Sequence, residues 1–367
     1  MQIVDLKPGA GGDCEALGTC DAEFVVGRLE SKGFRWSPQP LPNGTLLEVP
    51  PLVALTVDGV ADTSCRATAV NNGGVVVGVS DAWEGQDPDR DDVRRAFRWD
   101  PAVSPLAQDL GTLIRDPNNP GGFLGNSEAR AINDNGWIVG VSDSPGGLRR
   151  ACLWLPAPDP NTGQTILDLG ALLPDGNSEA NSVNDANVIV GVSDAQDSAG
   201  QAVRRGFDWN LFDRTPHAFS TLAVNGANVF GTSAANAINM QGVVVGGADY
   251  FGVGGALATQ AFRSFPPGHV IQGLPMLIAP SIVATGINND VPAKIVGHYG
   301  TGPTILTARS FVHDVGAGAL TDLTSTLGIT SWIVHLATGV NIAGQITGVA
   351  TNPLVSGTTL RAVLLRP

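Results

Sequence analysis

Lysine is almost missing from this chain, which holds only Lys7, Lys32 and Lys294, and the arginines are scattered rather than gathered into a basic arm. Against 34 acidic residues, the 21 basic ones leave a formal net charge of -13. Such a surface repels phosphate backbones and anionic lipid heads, so nucleic acid is excluded as a natural partner. No apolar run approaches the roughly 18 residues that cross a bilayer as a helix, and the sequence argues against membrane insertion. Met1 to Gly12 lacks the charged and apolar regions of a secretion leader. That leaves a cytoplasmic protein or one whose leader has been removed.

Catalytic signatures are equally scarce. His217, His269, His298, His313 and His335 share no repeat position and no metal-ligand spacing. There is no nucleophile elbow, phosphate loop or zinc motif. Charged residues make up only 15% of the chain, yet hydrophobic ones reach 43%, too many for disorder. What is abundant is glycine, 47 residues, and proline, 25. Together they suit many short strands joined by tight turns.

A short apolar motif ending in glycine recurs along the whole length: Phe24 to Gly27, Val75 to Gly78, Trp137 to Gly140, Val188 to Gly191, Val243 to Gly246, Lys294 to Gly297 and Gln345 to Gly348. The glycines are spaced by 51, 62, 51, 55, 51 and 51 residues. Six of the seven copies follow a short segment ending in asparagine, at Asn71, Asn133, Asn184, Asn239, Asn288 and Asn341, and then a turn. Downstream comes a segment with Phe and often Trp, such as Ala96 to Trp99, and a fourth such as Gln108 to Leu113.

Four β-prone runs per unit and a period near 50 predict propeller blades rather than a solenoid. The sequence therefore predicts an all-β fold, a seven-bladed β-propeller of four-stranded antiparallel blades, with residues 1–367 as one domain. Ile3 to Leu6 match the fourth segment of a unit, whereas the last unit stops after its third at Leu365. The N-terminal strand is thus expected to complete the last blade and leave no edge exposed.

Ala131 to Gly140, Arg95 to Trp99 and Asp109 to Leu113 give the set Ala-Ile-Asn, turn, Ile-Val-Gly, Arg-Ala-Phe-Arg-Trp and Asp-Leu-Gly-Thr-Leu. In this set, across essentially the whole chain, the protein resembles the HAF-repeat family of extracellular repeat proteins. The resemblance implies a secreted or surface-exposed bacterial propeller and brings no catalytic residues. The fifth to seventh units lose the Trp and blur the fourth strand.

The recurring residues have structural readings first. Asn before a turn bonds its own backbone two residues on. The glycine permits a close backbone approach or a bulge in the second strand. Trp36, Trp99, Trp154 and Trp209 share parity with the core Phe positions and are expected to pack between blades, with sugar stacking as the alternative. A basic position precedes the Phe segment at Lys32, Arg95, Arg150, Arg205, Arg309 and Arg361, with Gln260 as the break. Acidic residues follow the glycine at Glu30, Asp81, Asp143, Asp194 and Asp249. A hairpin between second and third strands predicts that these form a repeated ion pair.

Loops joining second to third strands, and fourth to the next first strand, open on one face. They carry the length variation and are the expected binding surface. Candidate ligand contacts there are Asp81, Trp83, Glu84, Asp87, Asp116, Asp143, Asp194 and Asp249. No cofactor is required by the sequence. Ca²⁺ is the ion an acidic mouth would suit, although no loop has the Asp-x-Asp-x-Asp-Gly spacing.

Cys152 replaces a core Phe. Cys14 and Cys65 occupy equivalent first-strand positions and are candidates for a disulfide, with Cys20 competing for Cys14. The expected function is a secreted or surface-exposed, non-enzymatic binding or structural module for polysaccharide or protein, self-association included. The alternative is an extracellular carbohydrate-active hydrolase or lyase using acidic loop residues.

Overall fold

Backbone spacing at the repeated glycines shapes every sheet in the computed structural model, which describes residues 1–7, 12–39, 44–53, 63–84, 91–119, 121–225, 228–252, 255, 257–264, 270–275, 281–300, 304–328, 331–354 and 357–367. Gly27, Gly78, Gly140, Gly191, Gly246, Gly297 and Gly348 lie opposite Ala16, Ala67, Ala129, Ala180, Ala235, Ala284 and Ala337 of the preceding strand. The register slips by one residue just after each of those alanines. The bulge therefore sits in the first strand, not the second, and it pushes that strand onto the glycine. A β-carbon on Gly140 would stand 2.0 Å from the Glu128 carbonyl oxygen, and one on Gly246 would stand 1.9 Å from that of Ala234. Only glycine fits.

Seven four-stranded antiparallel sheets result, with first strands at Cys14–Thr19, Cys65–Val70, Ser127–Ile132, Ser178–Val183, Ser233–Ile238, Ile282–Ile287 and Ile333–Val340 for blades one to seven. The N-terminal strand Gln2–Asp5 is the outermost strand of blade seven, Ile3 facing Leu365 and Val4 facing Leu364. Arg361, 3% exposed, lies 2.9 Å from Asp5 and ties the two chain ends together. The ring is closed as expected. Fourth strands are present in the blurred units as well, at Ile271–Gly273 and Leu320–Asp322. Two small hairpins (Ile114–Arg115 with Phe123–Leu124, Val224–Asn225 with Asn228–Val229) and a short helix, Leu323–Thr326, were not legible in the pattern.

Seven apolar layers fill the seven gaps between neighbouring blades. Trp36, Trp99, Trp154 and Trp209 are each buried in the layer shared with the preceding blade, so packing is their role.

All four cysteines are buried free thiols, which corrects the expected Cys14–Cys65 bridge. Equivalent positions in successive blades point the same way around the ring. Cys14 therefore lies in the layer between blades seven and one, and Cys65 in the next layer, with the sheet of blade one between them. Cys14 and Cys20 are kept apart by the strand Cys14–Thr19, about 20 Å long at ~3.3 Å per residue. A disulfide needs Cα atoms within about 7 Å. Cys65 fills the place that Ser127 takes in blade three: its Sγ reaches the Val49 carbonyl at 3.7 Å, as Ser127 Oγ reaches that of Gly111 at 2.8 Å.

Candidate functional site

At one end of the ring the turns after the first strands converge on the axis. Each repeated Asn bonds its own turn four residues on rather than two, or six in blade six: Asn184 Oδ1 accepts from the Val188 N–H at 2.9 Å, Asn133 Oδ1 from that of Trp137 at 2.9 Å and Asn288 Oδ1 from that of Lys294 at 2.7 Å. Its amide then reaches the next blade. Asn71 donates to the Asn133 carbonyl, Asn133 to Asn184, Asn184 to Asn239, Asn239 to Asn288, Asn288 to Asn341 and Asn341 to Cys20, all within 2.9 to 3.3 Å. A second belt runs beside it, where Thr68, Asn181, Asn236, Thr285 and Thr338 donate to the carbonyls of Ala129, Ala235, Ala284, Ala337 and Ala16. Blade one breaks both belts, with Cys20 in the Asn position and Leu17 in the Thr position.

Inside the Asn belt is an axial cavity of about 170 Å³, lined by residues of every blade, among them Asp21, Asn72, Asp134, Asp185 and Asn289. These carboxylates also tie neighbours: Asp134 Oδ1 accepts the Asn72 N–H at 2.8 Å and Asp185 Oδ1 that of Asp134 at 2.8 Å.

The opposite end carries the second-to-third loops. The candidate carboxylates there do not converge. Asp81, Asp143, Asp194 and Asp249 each accept the N–H of the residue before or at the entry of their own blade's first strand, from Ser64, Asn126, Asn177 and Thr232 at 2.6 to 2.8 Å. Asp116 caps Asn118 in a loop at 2.8 Å. Trp83 is half-buried opposite Asp92. Asp87 lies outside the described residues, as does the side chain of Glu84. Among the described residues no three His, Cys, Asp or Glu side chains gather closely enough to hold a metal ion.

The predicted ion pairs are displaced by one residue. Cross-strand register puts Asp81 opposite Arg94, Asp143 opposite Arg149 and Asp194 opposite Arg204, and the ion pairs Arg94–Asp81 and Arg204–Asp194 form at 3.6 and 3.7 Å. The expected basic residues point to the other side of the sheet. Arg95, 1% exposed, donates to the carbonyls of Gly125 and Phe123. Arg205 donates to Gly231, and Arg150 to Pro174. Gln260 makes the same kind of contact with Leu274 at 2.6 Å. Lys32 pairs with Glu48 rather than Glu30, Arg309 reaches the backbone of Leu306 and Ala308, and Arg361 holds Asp5.

A charged arc that sequence reasoning missed lines the axis at this end. Arg28 pairs with Glu15 at 3.2 Å, Arg66 with Glu128 at 2.7 Å, Arg130 with Glu179 at 2.6 Å and Arg204 with Glu179 at 3.1 Å. Burial pushes the Glu179 carboxyl up, but Arg130 and then Arg204 outweigh it and hold the group below the usual carboxylate range. The signal was the residue before the buried alanine: Glu15, Arg66, Glu128 and Glu179 in blades one to four, against Ala234, Val283 and Leu336 in blades five to seven. The same three blades expose Phe251 at 42%, Leu257 at 49%, Leu306 at 40% and Leu354 at 83% along or beside their second-to-third loops. The loop end is charged on one side and apolar on the other.

The β-propeller domain of the Trilobed protease from Pyrococcus furiosus is similar in fold, with a TM-score of 0.50 at 9% identity over 96% of this chain and 94% of that one. Porphyromonas gingivalis dipeptidyl peptidase 4 matches with a TM-score of 0.48 at 10% identity over 93% of this chain and 50% of its own. Trypanosoma rangeli sialidase in complex with sialic acid matches with a TM-score of 0.41 at 12% identity over 88% of this chain and 55% of its own. The chain thus spans about half the length of the peptidase and the sialidase. No curated protein matches it. A family model described as a protein of unknown function (DUF3466) matches residues 32–223, more than half of the sequence, and the chain belongs to that family.

Proposed function

We propose that this propeller is a non-enzymatic binding scaffold, exposed outside the cell, whose loop end engages a macromolecular partner. The observation that carries the reading is the division of that end into an ion-paired arc over blades one to four and an exposed apolar sector over blades five to seven. Exposed apolar residues grouped on one sector mark interaction surfaces more often than chance does. The recurring carboxylates support a scaffold rather than catalysis, since Asp81, Asp143, Asp194 and Asp249 are engaged in holding their own loops. The likeness to HAF-repeat proteins supports the extracellular setting. An apolar sector favours a protein partner, another copy of the chain included, over a polysaccharide.

Sedimentation of the purified chain over a wide concentration range, alongside a glycan array, tests this. Self-association or glycan capture that weakens when Phe251, Leu257 and Leu354 become serine supports the reading. A strictly monomeric chain that captures no glycan, or binding untouched by those changes, defeats it.

A further inference from the structure

Blade six departs from the repeat at one cross-strand pair. In blades two, three, four and seven Val79 faces Ala96, Val141 faces Ala151, Val192 faces Gly206 and Val349 faces Ala362, and in blades one and five Arg28 faces Gly33 and Gly247 faces Ala261, but in blade six His298 faces Ser310. His298 shares parity with Val296, which packs in the layer between blades six and seven, so both polar residues are on that side of the sheet. Ser310 is fully buried. Neither its hydroxyl nor the buried His298 Nδ1 has a hydrogen-bond partner.

Across the same layer stands a second imidazole. The first strand of blade seven, Ile333–Val340, has an additional register shift between Val334 and Leu336, and the inserted residue is His335, 2% exposed. Its Nδ1 lies 3.1 Å from the Ala308 carbonyl of blade six and its Nε2 lies 2.9 Å from Thr351 Oγ1. A carbonyl only accepts, so Nδ1 carries the proton and Nε2 takes the Thr351 hydroxyl. The neutral ring is satisfied.

Among the described residues a charged ring would find no counter-ion. Arg309 is the charge that bears on His335, and it is of like sign. The acidic side chains of the packed elements are engaged elsewhere: Asp290 with Lys294, Asp314 with the Gly316 and Ala317 N–H groups, Asp322 with the Tyr299 hydroxyl and the Ser325 N–H, and Asp5 with Arg361. His313, on the neighbouring strand, contacts the Ala319 carbonyl.

We propose that the layer between blades six and seven is an acid-sensitive seam, where protonation of His298 and His335 loosens the sheet that the N-terminal strand closes and opens the ring there first. Burial lowers the pKa of both imidazoles; for His335 the Ala308 hydrogen bond opposes this and Arg309 adds to it. Above the ordinary value of about 6.5, folded and unfolded chains are both neutral at these sites. Below it the unfolded chain binds protons that the folded one excludes, so stability falls as pH drops.

Hydrogen exchange of the full chain at about pH 7.5 and about pH 5, corrected for intrinsic rates, reads this out over the range where histidine titrates. Exchange in strands 294–300, 308–314, 333–340, 361–366 and 2–5 should rise several-fold at the lower pH while blades two to four stay protected. The double change His298→Val with Ser310→Ala installs the residues of other blades and should shrink that rise, and adding His335→Gln should abolish it. Equal protection at both pH values, loosening shared by all blades, or an undiminished rise in the double variant would each overturn the proposal. If the triple variant does not fold, the double variant decides alone.

Discussion

Replacing Gly140 by alanine puts a methyl group 2.0 Å from the Glu128 carbonyl oxygen and 3.0 Å from the Ala129 Cα. Both are backbone atoms, so no side chain can swing away. Ordinary carbon to oxygen contact begins near 3.3 Å, and the first and second strands of blade three must therefore separate by more than an ångström. Overpacking costs about 1 to 3 kcal/mol, and ladder hydrogen bonds weakened on either side add roughly 0.5 to 1.5 kcal/mol each. A loss of about 2 to 6 kcal/mol follows. With about 2.1 cal/mol/K of unfolding entropy per residue, the melting temperature of a cooperative ring of this size should drop by roughly 3 to 8 °C. Urea denaturation followed by tryptophan fluorescence measures the free energy directly, and calorimetry the temperature. Gly146→Ala is the control, since nothing lies within 4 Å of its added methyl and its φ is not in the left-handed region. It should be neutral or slightly stabilising. If Gly140→Ala and Gly146→Ala prove equally stable, the close approach does not govern the repeat and the reasoning fails.

Cys20→Asn supplies the missing amide toward the Asn71 carbonyl and should stabilise the chain by about 1 kcal/mol; a loss of stability would show that an amide at this position cannot complete the Asn belt between blades one and two. A thiol reagent should modify none of the four buried cysteines in the native protein and all of them in denaturant, with a melting temperature indifferent to reductant. Tyr299, whose hydroxyl donates to Asp322, has its pKa raised to about 12 by burial first and by that carboxylate second. Its folded pKa exceeds the unfolded value near 10, so the stability it contributes is complete below pH 10 and is lost as pH rises toward 12. Urea midpoints should fall more steeply across that window for the parent than for Tyr299→Phe.

The seven glycines revealed the ring because every blade makes the same backbone demand, and a demand on the backbone writes the same residue each time. Ile3 to Leu6 revealed the closure because a fourth strand stood at one end of the chain and was wanting at the other. Side-chain pairing was less legible. Placing Arg95 rather than Arg94 opposite Asp81 was an error of one residue, and in a strand one residue reverses the face. The Cys14–Cys65 proposal failed because like positions on a ring face the same way and never one another. The reach of Asn184 to Asn239 joins residues 55 apart, and no local rule for asparagine includes it. The charged arc was written at Glu128 and Glu179, yet its meaning depended on knowing that the residue before the bulge lines the axis. Loop residues such as Asp116 obey no repeat, so their partners could not be read from the pattern.

A disulfide across the seam tests the closed ring most directly. Ile3 and Leu365 are cross-strand neighbours on the first and last strands of the chain, and as a pair between ladder hydrogen bonds they have Cα atoms about 4.5 Å apart. In the double variant Ile3→Cys with Leu365→Cys, mild oxidation should join the two ends within one chain, a product seen as faster migration on a non-reducing gel and as one linked peptide pair by mass spectrometry. Ends that stay unlinked under oxidation, or that link only between different chains, would contradict the closed seven-bladed ring.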